Sequence, residues 1–331
     1  MTLQLHRFAL PLLTLIGVAL VRPAQAQFVD PAYAGNYSII FNGPAGDVPA
    51  SYGGLLFQAG NPDTLLLMGG ANQIGGTLNA VSVIRGAGNH ITGFGPFTTV
   101  LASADRNDGG LVYAPNGTLL YTRYSTNELG QIKPGSSTTD KVVDLSALGP
   151  NSVAPSVGTL QYVPSGFSGA GKLKLISYST GNWYDMDLAP DGLGTYDVSV
   201  SPVLTTTPSG PEGVVYVKGG NPLFSVDSML ISEYGTNTVS AWDVDANGNP
   251  TAGTRRDFVV GLSGAEGGTI DPVTGDFVFS TFGGVNSIVV VSGFTTPQVA
   301  DTPEPGAIAL FFSLGTIGAF SLRRRRSRRI S

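Results

Sequence analysis

Three acidic residues stand where their side chains could act together: Asp108, Glu212 and Glu266 each come just ahead of a short apolar run that opens with glycine. Carboxylate oxygens are ligands that Ca²⁺ prefers, and an asparagine or a backbone carbonyl can complete the shell. If the runs are equivalent strands around one axis, the three carboxylates converge near the mouth of a central channel and bind one Ca²⁺. The alternative is that these acids cap turns or bond backbone N–H groups around a water-filled channel. The first and third runs offer Tyr52 and Val157 at this position and carry no carboxylate.

A second calcium pattern, Asp243-Val244-Asp245-Ala246-Asn247-Gly248, matches the first half of an EF-hand loop. Twelve-residue numbering from Asp243 places Thr254 where such a loop needs a bidentate glutamate. Asx and Gly residues form the same kind of turn without a metal. We therefore interpret this segment as a polar turn between two strands.

Five asparagines follow the second apolar run of successive units, at Asn79, Asn127, Asn182, Asn237 and Asn286. Asparagine tolerates left-handed backbone and bonds its own turn, so it recurs wherever the same hairpin recurs. The structural interpretation is therefore favoured. A ring of five amides that binds sugar hydroxyls is the alternative.

Nucleophilic catalysis has little support in the sequence. His90 is the one histidine that follows the first 26 residues, and the chain has no cysteine. A Gly-x-Ser-x-Gly elbow with helix context is also absent. The residues therefore favour a binding or scaffold protein over an enzyme.

The elements that must position the three acids form a repeat. Five similar openings begin around Gly54, Gly110, Thr159, Gly213 and Gly268, about 50 residues apart. Each is followed by a Gly-, Pro- or Asn-rich turn, a second apolar run, a polar turn and a third run, and the first four units add an edge-like strand. Four short antiparallel strands per unit are typical of a β-propeller blade.

The sequence therefore predicts an all-β protein with a five-bladed propeller over residues 27–302. The fifth unit ends near Phe294 without a fourth strand, and Tyr37 to Phe41 has the pattern of the missing one. Borrowing that strand would close the ring and remove free sheet edges. Six or seven blades are the alternatives, if the loops at 85–96 or 145–157 contain further strands.

The openings resemble those of NHL-repeat and SMP-30/gluconolactonase-type propellers. The stretch Glu266 to Ser280 (EGGTIDPVTGDFVFS) carries this resemblance most clearly, and the likeness spans most of 50–294. It implies a second function for the three acids, a Ca²⁺-dependent hydrolase in which the ion polarises a lactone carbonyl. Propellers of the lactonase type usually have six blades, whereas this chain predicts five.

The first 26 residues have the order of a secretory signal peptide. Arg7 is followed by an apolar stretch from Phe8 to Val21 and then by Ala24-Gln25-Ala26, a small-residue cleavage site. Cleavage after Ala26 would make Gln27 the new amino terminus. Residues 1–26 are therefore predicted to form a signal helix that is removed on export.

The end of the chain, residues 303–331, has three ordered features. Pro303-Glu304-Pro305 precedes an uncharged run at 306–322, which is followed by the cluster Arg323, Arg324, Arg325 and Arg326. Seventeen residues lie at the lower limit for a transmembrane helix, and the arginines would keep the C-terminus cytoplasmic. This order resembles the PEP-CTERM sorting signal of exported Gram-negative proteins. The resemblance implies removal by an exosortase in the inner membrane. An ordinary membrane anchor is the alternative.

Composition agrees with export. The absence of cysteine excludes disulfides, and 46 glycines with short β-branched and aromatic runs indicate short strands. Residues 27–302 hold ten basic and 22 acidic residues, a net charge near −12, which argues against nucleic acid as a partner. We expect a cell-surface or extracellular protein that passes briefly through the inner membrane. Exosortase and exopolysaccharide are its expected partners.

Overall fold

Short runs of Val, Ile, Leu, Tyr and Phe broken by glycine or proline form strands throughout the part of the chain that the computed structural model describes, residues 27–208 and 210–295. The strands are β1 (Phe28–Val29), β2 (Ser38–Phe41), β3 (Leu55–Gln58), β4 (Asn61–Gly69), β5 (Thr77–Arg85), β6 (Ile91–Ser103), β7 (Asn107–Tyr113), β8 (Leu119–Arg123), β9 (Glu128–Ile132), β10 (Lys141–Asp144), β11 (Val157–Tyr162), β12 (Leu173–Ser177), β13 (Asn182–Pro190), β14 (Tyr196–Val200), β15 (Thr205–Thr206), β16 (Pro211–Val217), β17 (Ser228–Glu233), β18 (Thr238–Asp243), β19 (Arg256–Val260), β20 (Ala265–Ile270), β21 (Phe277–Thr281) and β22 (Ile288–Ser292). Two 3₁₀ helices, Ala87–Asn89 and Tyr234–Thr236, complete the elements.

The strands pair into five antiparallel sheets. Their orders are β3-β4-β5-β6, β7-β8-β9-β10, β11-β12-β13-β14 with β15 beside β13, β16-β17-β18-β19-β1, and β20-β21-β22-β2. The first strand of each sheet contacts the first strand of the next, so that β3, β7, β11, β16 and β20 form a closed inner ring. The prediction of a five-bladed β-propeller is confirmed, and blades 1 to 5 are numbered in this order. The loop at 85–96 holds a 3₁₀ helix and the start of β6, and neither that loop nor 145–157 adds a blade.

The ring is closed by the amino-terminal strand that the sequence predicts for this role. β2 pairs with β22 through Ile39↔Val291 and Phe41↔Val289. The hydroxyls of Ser38 and Ser292 add a hydrogen bond of 2.8 Å across this pair. The structure also shows a strand that the sequence did not predict, because β1 extends blade 4 beyond β19.

The inner strands approach one another closely at the end where they begin. The N–H of Gly54 donates to the carbonyl of Asp108 at 2.7 Å, and an added Cβ at Gly267 would lie 2.7 Å from the Cα of Gly54. Only glycine permits this spacing, which explains the Gly-Gly openings of the repeat. The core between blades is formed by apolar side chains, including the fully buried Trp183 and the nearly buried Trp242.

The predicted signal peptide (1–26), the Pro-Glu-Pro motif, the helix at 306–322 and the arginine cluster lie outside the described residues. Among residues 27–208 and 210–295, no helix has the length and apolar character to span a membrane.

Candidate functional site

The three acids predicted to converge do so. One carboxylate oxygen from each of Asp108, Glu212 and Glu266 lies within 4.8 Å of the others. Their exposed fractions are 1%, 3% and 1%. Both oxygens of Asp108 and one oxygen each of Glu212 and Glu266 accept no hydrogen bond within the described residues. We refer to this set as the carboxylate triad, and to its end of the channel as the carboxylate end.

Each triad residue stands on an irregularity of its inner strand. The pairing register shifts between Asn107 and Leu111 in β7, between Pro211 and Gly213 in β16, and between Ala265 and Gly268 in β20. A bulge gives one strand extra residues and re-aims their side chains. The bulges therefore account for the three carboxylates meeting at one place.

Burial holds the pKa of every triad residue well above its usual range, and repulsion by neighbouring acids adds to the rise for Glu212 and Glu266. For Asp108 and Glu266 burial is the main cause, because a charged carboxylate loses its solvation there. For Glu212 the same cause is reinforced by the negative charges of Asp108 and Glu266. Two unit charges no more than 4.8 Å apart repel by at least about 3.5 kcal/mol at an effective dielectric constant near 20. The triad therefore requires protons or a cation to compensate its charge.

The oxygens of the triad fit a single hard cation. Calcium–oxygen distances are about 2.3–2.6 Å, so two ligands on opposite sides of one ion are up to about 5 Å apart, which accommodates three oxygens that all lie within 4.8 Å of one another. The donors are all carboxylates, with no histidine or cysteine among them. Such a donor set favours Ca²⁺ or Mg²⁺ over transition metals.

A collar of aromatic residues surrounds the approach to the triad. Tyr124, Tyr178, Tyr234 and Phe282 each follow directly after the second strand of blades 2 to 5. Neighbouring rings pack edge to face, with centroids 5.8, 6.0 and 5.9 Å apart in blade order. Burial, aided by the charge of Glu212, raises the pKa of Tyr178 to about 12, so its phenol stays protonated as a hydrogen-bond donor.

The collar leaves a small cavity of about 150 Å³ above the triad. Asn72 lines it together with three collar tyrosines, Glu212 and Glu266. Asn72 has left-handed backbone (φ 65°), and its buried Oδ1 accepts no hydrogen bond within the described residues. This oxygen is a further candidate ligand for the cation. It belongs to blade 1, which has no aromatic residue in the collar.

The sequence did not identify Asn72 or the collar as site residues. The sequence does contain a signal for the collar, because one aromatic residue follows the second strand in four units: Tyr124, Tyr178, Tyr234 and Phe282. Asn72 is not part of this repeated pattern, since it lies in the longer turn of blade 1.

The EF-hand-like segment forms a turn whose carboxylates are already bonded. Asp245 Oδ1 accepts the backbone N–H groups of Asn247 and Asn249, both at 2.8 Å. Asp243 Oδ1 is bound by the guanidinium of Arg256 at 2.7 Å. The interpretation of this segment as a polar turn agrees with the structure.

The five asparagines do not form one ring. Asn127, Asn237 and Asn286 have left-handed backbone, and their Oδ1 atoms accept N–H groups that lead into the next blade's inner strand. Asn79 is buried within β5, and in blade 3 Gly181 takes the left-handed position just before Asn182. The structural interpretation therefore holds for three of them, and a ring of five equivalent amides is wrong.

His90 is half-exposed and is bonded to a buried acid. Its Nδ1 lies 2.6 Å from a carboxylate oxygen of Asp276, which is 1% exposed. Beside this pair, Arg85 binds Asp271 with two hydrogen bonds, of 2.7 and 2.9 Å. Both pairs join blade 1 to the β20–β21 turn of blade 5, so they connect neighbouring blades.

Comparisons with known proteins show general likeness in architecture alone. No protein-family model matches the chain, and no curated protein matches it. Similar solved structures include an auxiliary nutrient binding protein from Bacteroides ovatus (12% identity, 78% of this chain and 76% of that one, TM-score 0.43). Others are a protein assigned as a gluconolactonase (14%, 84% and 89%, 0.44) and the PQQ domain of pyranose dehydrogenase from Coprinopsis cinerea (10%, 82% and 98%, 0.42). Likeness at this level indicates neither ligand nor activity.

Proposed function

We propose that this chain is an exported cell-surface protein whose propeller binds a divalent cation, Ca²⁺, at the carboxylate triad. The observation that carries the proposal is the meeting of three buried carboxylates within 4.8 Å, with oxygens that accept no hydrogen bond in the described residues. Burying several charged carboxylates together destabilises the folded protein unless they are protonated or bind a metal ion. A bound cation would compensate the charge and tie together blades 2, 4 and 5.

Calcium titration of the full-length chain tests this proposal. A ligand that binds only the folded state raises the melting temperature by mass action, so the melting temperature should rise with Ca²⁺ and fall on chelation. Glu212→Gln and Glu266→Gln should each remove most of this shift. Asp187→Asn is the matched control, because Asp187 is an exposed acid on β13, the third strand of blade 3. This variant should keep the calcium-induced rise in melting temperature. No shift at millimolar Ca²⁺ would overturn the proposal.

A role in binding at the cell surface also rests on the two ends of the chain. The signal peptide up to Ala26 and the Pro303-Glu304-Pro305, apolar run and arginine order are the basis for export and for sorting by exosortase. In this proposal the mature protein is released to, or held at, the surface beside exopolysaccharide. Mass spectrometry of the exported protein tests it, because cleavage should leave a chain that begins at Gln27 and ends near Pro303. An exported chain that still ends at Ser331 would contradict the sorting step.

A Ca²⁺-dependent hydrolase is the second candidate. It is favoured by the cavity above the triad, in which protonated phenols such as that of Tyr178 lie beside the candidate ligands. A bound cation would polarise a substrate carbonyl. The chain's phenols would donate hydrogen bonds to the substrate's oxygens, and the collar would limit access of water. Calcium-dependent lactone hydrolysis that is lost in Glu212→Gln and weakened in Tyr178→Phe would support this candidate, whereas calcium binding without turnover leaves the binding role.

A further inference from the structure

A second cavity, of about 290 Å³, lies at the opposite end of the channel, where the inner strands end. It is bounded by residues of blades 5, 1 and 2, with Gln161 of blade 3 at one side. It shares no lining residue with the cavity above the triad. We call this second space the distal cavity.

The distal cavity differs from the carboxylate end in its charge. None of its lining residues is Asp, Glu, Lys, Arg or His. Two acids, Asp63 and Asp271, come directly after lining residues in the sequence, and both are paired with the guanidinium of Arg85. Because an ion would lose solvation there without an opposite charge, the ligand must be neutral.

The walls combine aromatic and polar groups. Tyr113 is partly buried and supplies a ring surface, and Gln58 places an exposed side-chain amide beside it. Phe57, at the same position of the neighbouring inner strand, is 5% exposed and adds only a small area. The hydroxyl of Tyr113 accepts a long hydrogen bond of 3.4 Å from the N–H of Ala59, which leaves its own hydrogen to donate. Apolar walls with a few polar groups that orient the ligand are typical of small-molecule sites.

We propose that the distal cavity binds one neutral sugar ring. A pyranose has an apolar face of C–H groups, which suits the Tyr113 ring and the apolar wall beside it, and hydroxyls at its edge, which suit the Gln58 amide and the Tyr113 phenol. The volume lies near the lower limit of small-molecule sites, about 300 Å³, so it suits one ring rather than a longer chain segment. This site is independent of the cation site, and either proposal stands if the other fails.

Ligand-observed NMR with the full-length chain, in a detergent that has no sugar headgroup, tests the proposal. The probes are methyl β-D-glucoside, methyl β-D-galactoside, methyl α-D-mannoside and N-acetylglucosamine. At least one is expected to bind with a Kd of about 1 mM or below. Binding should be unchanged by chelation of Ca²⁺, because the triad lies at the other end.

Variants assign the binding to this cavity. Tyr113→Ala and Gln58→Ala are each expected to weaken binding by about tenfold or more. Tyr162→Ala is the matched control, because Tyr162 has the same place on β11 but does not line the cavity, and it should leave the affinity unchanged. Gln58 is exposed, so its variant should fold even if the tyrosine variants are unstable. The proposal is overturned if no probe binds, if both Tyr113→Ala and Gln58→Ala keep full affinity, or if cyclohexanol binds as tightly as the best sugar.

Discussion

The backbone carbonyl of Glu212 packs directly onto the α-carbon of Gly109, so that a Cβ at position 109 would overlap its oxygen and lie 2.9 Å from Glu212 Oε2. The inner strands of blades 2 and 4 are not adjacent in the ring, but they meet here at the carboxylate end. Two triad residues, Asp108 and Glu212, depend on this contact for their separation. Glycine at 109 is therefore required by the site as well as by the fold.

Gly109→Ala is expected to lower the free energy of unfolding by about 3 kcal/mol, because the overlap is with backbone and overpacking costs about 1–3 kcal/mol or more. It should also weaken Ca²⁺ binding, since the methyl group would displace Glu212. Urea denaturation and calcium titration measure the two effects. Gly35→Ala is the control, because a Cβ there meets nothing within 4 Å, and it should change stability by less than about 0.5 kcal/mol. A Gly109→Ala protein as stable as the wild type would contradict this contact.

The triad should make stability depend on pH in the chelated protein. A carboxyl whose pKa is raised by folding binds more protons in the folded state, so its contribution to stability falls as pH rises from its unfolded pKa, about 4.3 for Glu, towards its folded pKa. Each pKa unit of that shift removes about 1.4 kcal/mol. Glu212→Gln removes this loss, because the amide stays neutral.

The measurement is therefore the difference in melting temperature between Glu212→Gln and the wild type, in chelator, from pH 4 to pH 8. That difference should grow in favour of Glu212→Gln as pH rises, and saturating Ca²⁺ should reverse its sign at pH 8. Asp187→Asn should show no such trend. A difference in melting temperature that is constant with pH would mean that folding does not raise the pKa of Glu212.

The triad could be predicted from sequence because it follows the repeat. Asp108, Glu212 and Glu266 stand at the start of the equivalent inner strand in three units, and strands that are equivalent around an axis begin at the same end of the channel. Blade number and ring closure by β2 follow from the same periodicity. Burial of the acids could not be predicted, because it results from bulges and from Gly-to-backbone contacts that the repeat pattern does not encode.

The other site features could not be predicted from the repeat, because they depend on how loops of different blades pack together. Asn72 lines the cavity above the triad from an irregular turn of blade 1, and each collar residue resembles an ordinary residue at the end of a strand. Asn79 and Asn182 have the right type and nearly the right spacing, but a shift of register placed them outside the left-handed turn position. The distal cavity is a space between three blades, so no single motif marks it.

The ion pair between Arg85 and Asp271 should be important for closing the ring between blades 1 and 5. Asp271 is fully buried, and both of its oxygens accept from Arg85, at 2.7 and 2.9 Å. Arg85→Met would leave a buried charge without compensation, which costs about 3–5 kcal/mol. Urea denaturation should show this loss, and Arg85→Met combined with Asp271→Asn should recover part of it. Lys133→Met, which breaks the more exposed pair with Asp140, is the control and should cost less than about 1 kcal/mol. If Arg85→Met and Lys133→Met lowered the free energy of unfolding equally, the ion pair would have no special role in closing the ring.

Two asparagines that look alike in the sequence should respond differently to substitution. Asn237 has left-handed backbone (φ 57°), and its Oδ1 accepts the N–H of Gly264 at 2.9 Å, whereas Asn182 follows the left-handed Gly181 and begins an ordinary strand. Asn237→Ala loses this hydrogen bond and adds backbone strain, so it should cost about 2 kcal/mol. Asn237→Gly loses the bond without the strain and should cost about half as much. Asn182→Ala should change stability by less than about 0.5 kcal/mol. If chemical denaturation gave the same loss for both alanine variants, the shared sequence pattern rather than the backbone geometry would determine the role of these asparagines.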